Sequence, residues 1–210
     1  MMRPGPLIRR LFGPYEREIT EAYRRLFVDL DDLVDRLQVW VPQPRRILEV
    51  GCGEGAMTER LSRAYPAATV TGTDITPKIG RLFRGDAAMV RFLRKPVEDI
   101  ALNEPASFDL VVLCDVVHHV PPLERLPLLS AIGRVMAAGG SLAVKDWIAS
   151  SSPIHWLCSA SDRYLTGDDV QFCTVESARA LLTGAFGRDA IREEALVPPW
   201  SNNVAYLVRL

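Results

Sequence analysis

The chain has 210 residues, of which 48% are hydrophobic and 24% charged, with a formal net charge of −1. That size and balance describe one ordinary domain, or a domain with a short lid, and exclude a disordered chain, a collagen-like repeat and a coiled coil. The near-zero net charge argues against a nucleic-acid grip built on bulk basicity, so no nucleic-acid partner is expected.

Four cysteines, at 52, 114, 158 and 173, form no CxxC pair. Neither a zinc knuckle nor a disulfide framework is expected, no metal is assigned, and reduced thiols suit the cytoplasm. The apolar pairs of the first residues are interrupted by Arg9 and Arg10, so they make no signal-peptide core, and no apolar run reaches membrane-spanning length. Lys78, Lys95 and Lys145 are the only lysines in an arginine-rich chain.

Residues 1–14, rich in proline, glycine and arginine, read as a loose arm. From Glu16 to Leu37 apolar residues recur at helical spacing, which predicts one long amphipathic helix, or two with a break near Val28. Residues 1–45 thus form an arm and helical lid ahead of the main domain, 46–210. Ile47 to Val50 reads as a buried strand, followed by a glycine loop and a helix from Ala56 to about Ala64. A second strand, TVTGTDI, ends in an acid, and Pro77 opens a further short helix. Val90 to Leu93 is a third strand and SFDLVVLCDVVHHV a fourth, apolar enough to be buried on both faces.

Leu123 to Met136 reads as a helix closed by Gly139-Gly140, and SLAVKDWI as a fifth strand. Residues 149–173 look like a substrate-side insertion with a short helical piece around Trp156. Val175 to Leu182 is a helix; Glu194 to Val197 and Val204 to Val208 are two strands whose short link makes them antiparallel.

Alternating strands and helices predict an α/β fold, a doubly wound and mostly parallel sheet made mixed by its C-terminal strand. Ligands of such sheets bind beyond the carboxyl ends of the strands, where the winding reverses. Gly51–Gly55, Asp74, the segment after Leu93, Cys114–Val120 and Asp146–Trp147 should therefore converge on one rim. In Glu49-Val50-Gly51-Cys52-Gly53-Glu54-Gly55 the third glycine comes one residue earlier than in a dinucleotide-binding loop. An acid also stands two residues before the first glycine, where it would repel a pyrophosphate and suit a cation. Asp74 closes the next strand, and a carboxylate there can accept both hydroxyls of a ribose. Together these describe a cofactor with a ribose and a positive charge and no phosphates.

The segments ILEVGCGEG, TGTDI, SFDLVVLCDVVHHV and RVMAAGGSLAVKDW resemble the successive motifs of the class I S-adenosylmethionine-dependent methyltransferases, closest to their small-molecule branch. The resemblance runs from about Arg46 to Leu210. It implies a seven-stranded, Rossmann-like methyltransferase sheet and S-adenosyl-L-methionine as cofactor. It also implies that Gly51, Cys52 and Gly53 lie along the methionine part with Glu49 behind them, that Asp74 binds the ribose and that Ile75 lies against the adenine. Val97 and Glu98 would border the adenine, and the Cys114 carbonyl would meet the amino group. Many relatives carry an aspartate where Pro96 stands in an ungapped alignment, so the adenine contacts fall to Glu98 or the Val97 backbone.

His119, and second to it His118, are the candidate general bases; a satisfied structural imidazole is the plain alternative for both. Asp146 can orient a base or pair with an arginine. Trp156 and Tyr164 are candidate pocket walls, as are the polar residues Asp162–Asp169 and His155. Tyr15, Tyr23 and Phe27 either fold over the site or merely pack their helix.

The expected reaction is in-line displacement of a sulfonium methyl by the O, N or C atom of a small acceptor. The motifs of amino-methylating nucleic-acid enzymes and of protein arginine methyltransferases are missing. Arg3, Arg9 and Arg10 beside Leu7, Ile8, Leu11 and Phe12 would suit a lipophilic acceptor at an anionic membrane. The competing readings are a nicotinamide-dependent oxidoreductase, against which Glu49 and the glycine spacing speak, and a cofactor-binding regulator without catalysis.

Overall fold

The structure is a computed structural model and describes residues 16–161 and 170–210. Helices α1 (Glu16–Phe27) and α2 (Leu30–Trp40) precede β1 (Arg46–Val50), α3 (Ala56–Ala64), β2 (Thr69–Thr73), β3 (Val90–Leu93), α4 (Val97–Asn103) and β4 (Phe108–Cys114). A single turn of 3-10 helix, Val117–His119, leads into α5 (Pro122–Val135) and β5 (Met136–Trp147). Then come α6 (Pro153–Ser161), α7 (Val175–Phe186), β6 (Ile191–Leu196) and β7 (Asn203–Arg209). The seven strands form one sheet in the order β3-β2-β1-β4-β5-β7-β6. Strands β1 to β5 pair in parallel, and β7 inserts antiparallel between β5 and β6.

The central strands are apolar at successive positions because the sheet is covered on both sides. Ile47, Leu110 and Val112 point into a core closed by Leu33 and Leu37 of α2 and Met57 and Leu61 of α3. Their neighbours Leu48, Val111 and Leu113 point into a second core closed by Ile100 of α4, Ile132 of α5 and Leu182 of α7. Period-two side-chain alternation thus divides one apolar run between two cores.

The leading helical stretch does break at Val28. Asp29 leaves the helix, gives its N–H to Pro198 O at 2.7 Å and caps α2 by accepting from the N–H groups of Asp31 and Asp32, both at 3.0 Å. Asn203 Nδ2 holds the end of α1 by donating to Phe27 O at 2.6 Å.

Two expected elements differ. Pro77 opens a series of turns: Gly80, at φ +62°, and Leu82 give their N–H groups to the Gly53 and Glu54 carbonyls, which ties this segment to the glycine loop instead of to its own preceding turn. Gly139 and Gly140 do not close α5. They lie in a bulge of β5, between the Met136–Phe108 and Ser141–Leu110 pairings. The last two strands begin earlier than their apolar cores suggest, at Ile191 and Asn203.

Candidate active site

The winding reverses between β1 and β4, where Val50 stands beside Leu113. Beyond these strand ends lies a cavity of about 790 Å³, within the size class of small-molecule sites. Gly51, Asp74, Ile75, Val97, Glu98 and His119 all line it, as do Asp115, Val116 and Glu124. Glu49, Cys52, Gly53, Cys114 and His118 are not among its lining residues.

The loop geometry follows from its glycines. Gly51 turns at φ +74°, and its N–H and that of Cys52 both bond to Thr73 O, at 2.8 and 3.1 Å. A Cβ on Gly51 would fall 2.4 Å from Val116 Cγ2, so glycine is what lets the β4 end close over the loop. Asp74 accepts from Gly53 N through one oxygen and from Thr76 N through the other, both at 2.7 Å. Each oxygen thereby retains lone-pair capacity for a hydroxyl.

Glu49 is only 3% exposed and accepts a 2.5 Å bond from Thr58 Oγ1. Burial pushes its carboxyl up to about 8; the Thr58 bond opposes this and the Asp74 charge adds to it. The lining residues hold four acids, Asp74, Glu98, Asp115 and Glu124, against the single ammonium of Lys95. A phosphate-free, cationic ligand suits this wall better than a dinucleotide.

The rim beyond β4 and β5 carries groups that the motifs alone did not single out. Asp115 takes a left-handed backbone, φ +55°, and accepts from Lys145 Nζ at 2.6 Å. Lys145 is 2% exposed, and the Asp115 charge overcomes burial to hold it above the usual lysine value, while Lys145 holds Asp115 below the carboxylate range against the same burial penalty. The scarcity of lysine was the one available signal for this pair.

His118 is buried. Its backbone N–H donates to Asp146 Oδ2 at 3.0 Å and its Nδ1 meets Asp146 Oδ1. Asp146 therefore orients an imidazole, and no arginine is its partner among the described residues. The His119 ring lies against His118, with centroids 4.2 Å apart, and faces the cavity. Ligand atoms of Asp115, His118 and Asp146 fall within 4.8 Å of one another, a spacing that could hold a metal, but Lys145 already neutralises Asp115.

Cys114 contributes a thiol that burial pushes well up, so it is no nucleophile, and burial moves Cys52 the same way. Trp156 is 72% exposed and is not among the residues lining the cavity. Phe27 packs edge-on against Trp147, with centroids 6.0 Å apart. Tyr15, Tyr164, the Asp162–Asp169 stretch, the arginine-rich arm and the Tyr23 side chain lie outside the described residues.

Comparison with known proteins bears on this geometry. A family model described as a methyltransferase domain matches residues 47–140, which contain the glycine loop, Asp74, the adenine-side segment and both histidines. Residues 47–140 are thus similar to a methyltransferase domain.

Its curated relatives include a ubiquinone biosynthesis O-methyltransferase of Xanthomonas campestris pv. campestris, 35% identical over 101 residues, a stretch covering 46% of this chain and 41% of that one. The protein of the same name from Paracidovorax citrulli is 34% identical over 103 residues, covering 47% of this chain and 42% of that one. The chain thus spans less than half the length of these relatives.

Among solved structures, Burkholderia thailandensis 1,6-didemethyltoxoflavin-N1-methyltransferase, with 1,6-didemethyltoxoflavin and S-adenosylhomocysteine bound, superposes with a TM-score of 0.68 at 17% identity, over 100% of this chain and 91% of that one. Human N-acetylserotonin methyltransferase in complex with S-adenosylmethionine superposes with a TM-score of 0.66 at 19% identity, over 99% and 60%. At such identities the likeness is one of fold. No described helix is long and apolar enough to cross a membrane.

Proposed function

We propose that the protein is an S-adenosylmethionine-dependent methyltransferase acting on a small-molecule acceptor. The observation that carries this reading is the convergence of Gly51, Asp74, Ile75, Val97, Glu98 and His119 on one acid-lined cavity at the switch point of the sheet. Asp74 would hold the ribose hydroxyls, Ile75 and Val97 the faces of the adenine, and Glu98 its amine. Gly51, Cys52 and Gly53 would run along the amino-acid part, whose amino group would meet the Cys114 carbonyl, with Glu49 behind. The matched domain and the cofactors of the structural neighbours support this assignment.

When bound, S-adenosylmethionine supplies a methyl group on a sulfonium that leaves as a neutral thioether, so no acid need assist its departure. The acceptor's nucleophilic atom forms a bond to the methyl carbon while the carbon–sulfur bond breaks and its electron pair stays on sulfur. What the chain contributes is alignment, exclusion of water and, for a protonated acceptor, a base. His119 on the wall would take that proton, steadied by the His118 ring that Asp146 anchors. The sequence of Arg3, Arg9 and Arg10 beside Leu7, Ile8, Leu11 and Phe12 supports a lipophilic acceptor. Work in the cytoplasm fits four cysteines that all stand as reduced thiols.

The test is calorimetric titration with S-adenosylhomocysteine and, separately, NAD, followed by transfer of label from methyl-labelled S-adenosylmethionine to an acceptor panel. Binding of S-adenosylhomocysteine alone is expected; binding of NAD alone would replace this reading with an oxidoreductase.

A further inference from the structure

The cavity wall divides between two parts of the chain. The proposed cofactor contacts Gly51, Asp74, Ile75, Val97 and Glu98 follow β1, β2 and β3. What remains is the β4–α5 connection with the first two turns of α5. Its polar members are Asp115, His119 and Glu124, while Val116, Val120 and Leu128 supply apolar surface. The single ammonium among the lining residues, Lys95, lies on the other part, after β3. An acceptor on this side thus meets two carboxylates, an imidazole and apolar surface.

Asp115 is held in one orientation on that wall. Its N–H donates to Lys145 O at 2.9 Å, which continues the pairing of β4 with β5 past Cys114. A left-handed φ of +55° is strained for a residue with a side chain, and this pairing holds it there. Lys145 Nζ donates to Asp115 Oδ1 at 2.6 Å, whereas Oδ2 meets the weakly donating Cys114 thiol at 3.7 Å. Oδ2 therefore keeps lone-pair capacity for a ligand. The Lys145 side chain is 2% exposed and that of Asp115 35%, so the pair turns its negative end to the cavity. Against burial, Lys145 and then His118 hold Asp115 below the usual carboxylate range, and it is ionised near pH 7.

The sign of that charge discriminates between nucleophiles. Methyl transfer moves positive charge from sulfur onto the attacking atom. An amine ends the step as a cation, and a carboxylate beside it stabilises that charge as it develops. A hydroxyl reacts as an oxyanion or while losing its proton, and the same carboxylate opposes the negative charge.

We infer that the acceptor is an amine, bound as an ammonium at Asp115 Oδ2 with Glu124 on the same wall and its apolar body against Val116, Val120 and Leu128. The inference rests on the methyltransferase reading and deepens it to a substrate class. The ammonium first passes a proton to the His119 imidazole. The freed nitrogen lone pair then bonds to the methyl carbon and the carbon–sulfur pair stays on sulfur. The product leaves as a methylated ammonium, with the sulfonium charge now on nitrogen.

The test uses the full chain, methyl-labelled S-adenosylmethionine and tyramine, which carries an aliphatic ammonium and a phenol in one molecule. Label is expected on nitrogen and not on oxygen, as read by fragment mass spectrometry. K145M/D115N removes the pair without leaving either charge alone. It is expected to raise KM for tyramine about tenfold and to leave the affinity for S-adenosylhomocysteine unchanged. E124Q, at an exposed position, should raise that KM about two- to fivefold. Label on the phenol oxygen, or an unchanged KM in E124Q and in a folded K145M/D115N, overturns the inference. The position of the label decides even where the double variant does not fold. A folded double variant that loses S-adenosylhomocysteine assigns Asp115 to the cofactor's amino group and overturns it too. So does S-adenosylhomocysteine binding without transfer to the amine, and that result leaves the cofactor reading standing. Failure to bind S-adenosylhomocysteine takes down both.

Discussion

Asp146 grips His118 twice, at the backbone N–H through Oδ2 and at ring Nδ1 through Oδ1, while Oδ1 also accepts from the Trp147 N–H at 2.8 Å. The carboxylate at the end of β5 thereby fixes both the position and the tautomer of an imidazole from the β4–α5 connection, leaving Nε2 as its basic nitrogen. D146N would present an amide where the ring needs an acceptor. With an acceptor that must lose a proton, kcat is expected to fall about ten- to hundredfold, within the range of general-base effects. Calorimetric affinity for S-adenosylhomocysteine should stay the same, and raising the pH until the acceptor ionises should recover the rate. A loss that persists with ionised acceptor would assign Asp146 to folding alone.

Glu49 predicts a pH dependence with a definite sign. Its folded-state value, pushed up to about 8, lies above the unfolded one. The protonated carboxyl contributes stability that is full below the unfolded value and is lost as pH rises through 8. The melting temperature of the free protein should therefore decline from about pH 4.5 to about pH 8 and level off above it, and E49Q should flatten that decline. A bound sulfonium favours the ionised form, so binding of S-adenosylmethionine should release a proton below pH 8 and tighten as pH rises, more than binding of the neutral S-adenosylhomocysteine. Calorimetry in buffers of different ionisation enthalpy reads that proton directly.

Gly51 faces two separate penalties on substitution. G51A places a methyl 2.4 Å from Val116 Cγ2 and also holds a side chain at φ +74°. The expected cost is about 2–4 kcal/mol, summing left-handed strain and overpacking. The double variant G51A/V116A should recover only the steric share. Chemical denaturation of the wild type and both variants separates the two contributions, and full recovery would show that the backbone conformation costs nothing.

Buried Lys145 pairs with half-buried Asp115 at the end of β4. K145M leaves a half-exposed carboxylate without its partner and should destabilise the protein by about 1–3 kcal/mol, whereas K145M/D115N should lose less. Because Lys145 already supplies the cation beside Asp115, His118 and Asp146, activity is expected to persist in EDTA. Stimulation by a divalent ion after EDTA treatment would show that the metal displaces the ammonium.

The elements of the domain were legible because each carries a local physical signature. Val50-Gly51-Cys52-Gly53 announces a strand running into a turn, and Phe108 to Cys114 is apolar at the positions that two facing cores require. From β1 onward the strands, their winding and the acids Glu49 and Asp74 follow from periodicity, glycine spacing and the fixed handedness of βαβ units. Two turn regions were misread for the same reason: Pro77 and Gly139-Gly140 have the right local chemistry for a helix start and a helix stop. Long-range pairing overrode it, with the glycine loop in the first case and with β4 in the second.

What the sequence by itself determined is the sheet, its switch point and the acids Glu49 and Asp74 beside the glycine loop. Only the tertiary structure decided which rim residues meet. Asp146 and His118 are 28 positions apart, as the hydrogen bond joining them records, and Lys145 and Asp115 are 30 apart. Phe172 reaches His118 from a segment with no periodic signal of its own. Such contacts depend on the parallel register that sets Lys145 beside Cys114, and on a buried arginine that pins one loop to another. Local pattern carries neither, because the energy of a buried pair is set by the partner and the dielectric around it, not by either residue alone.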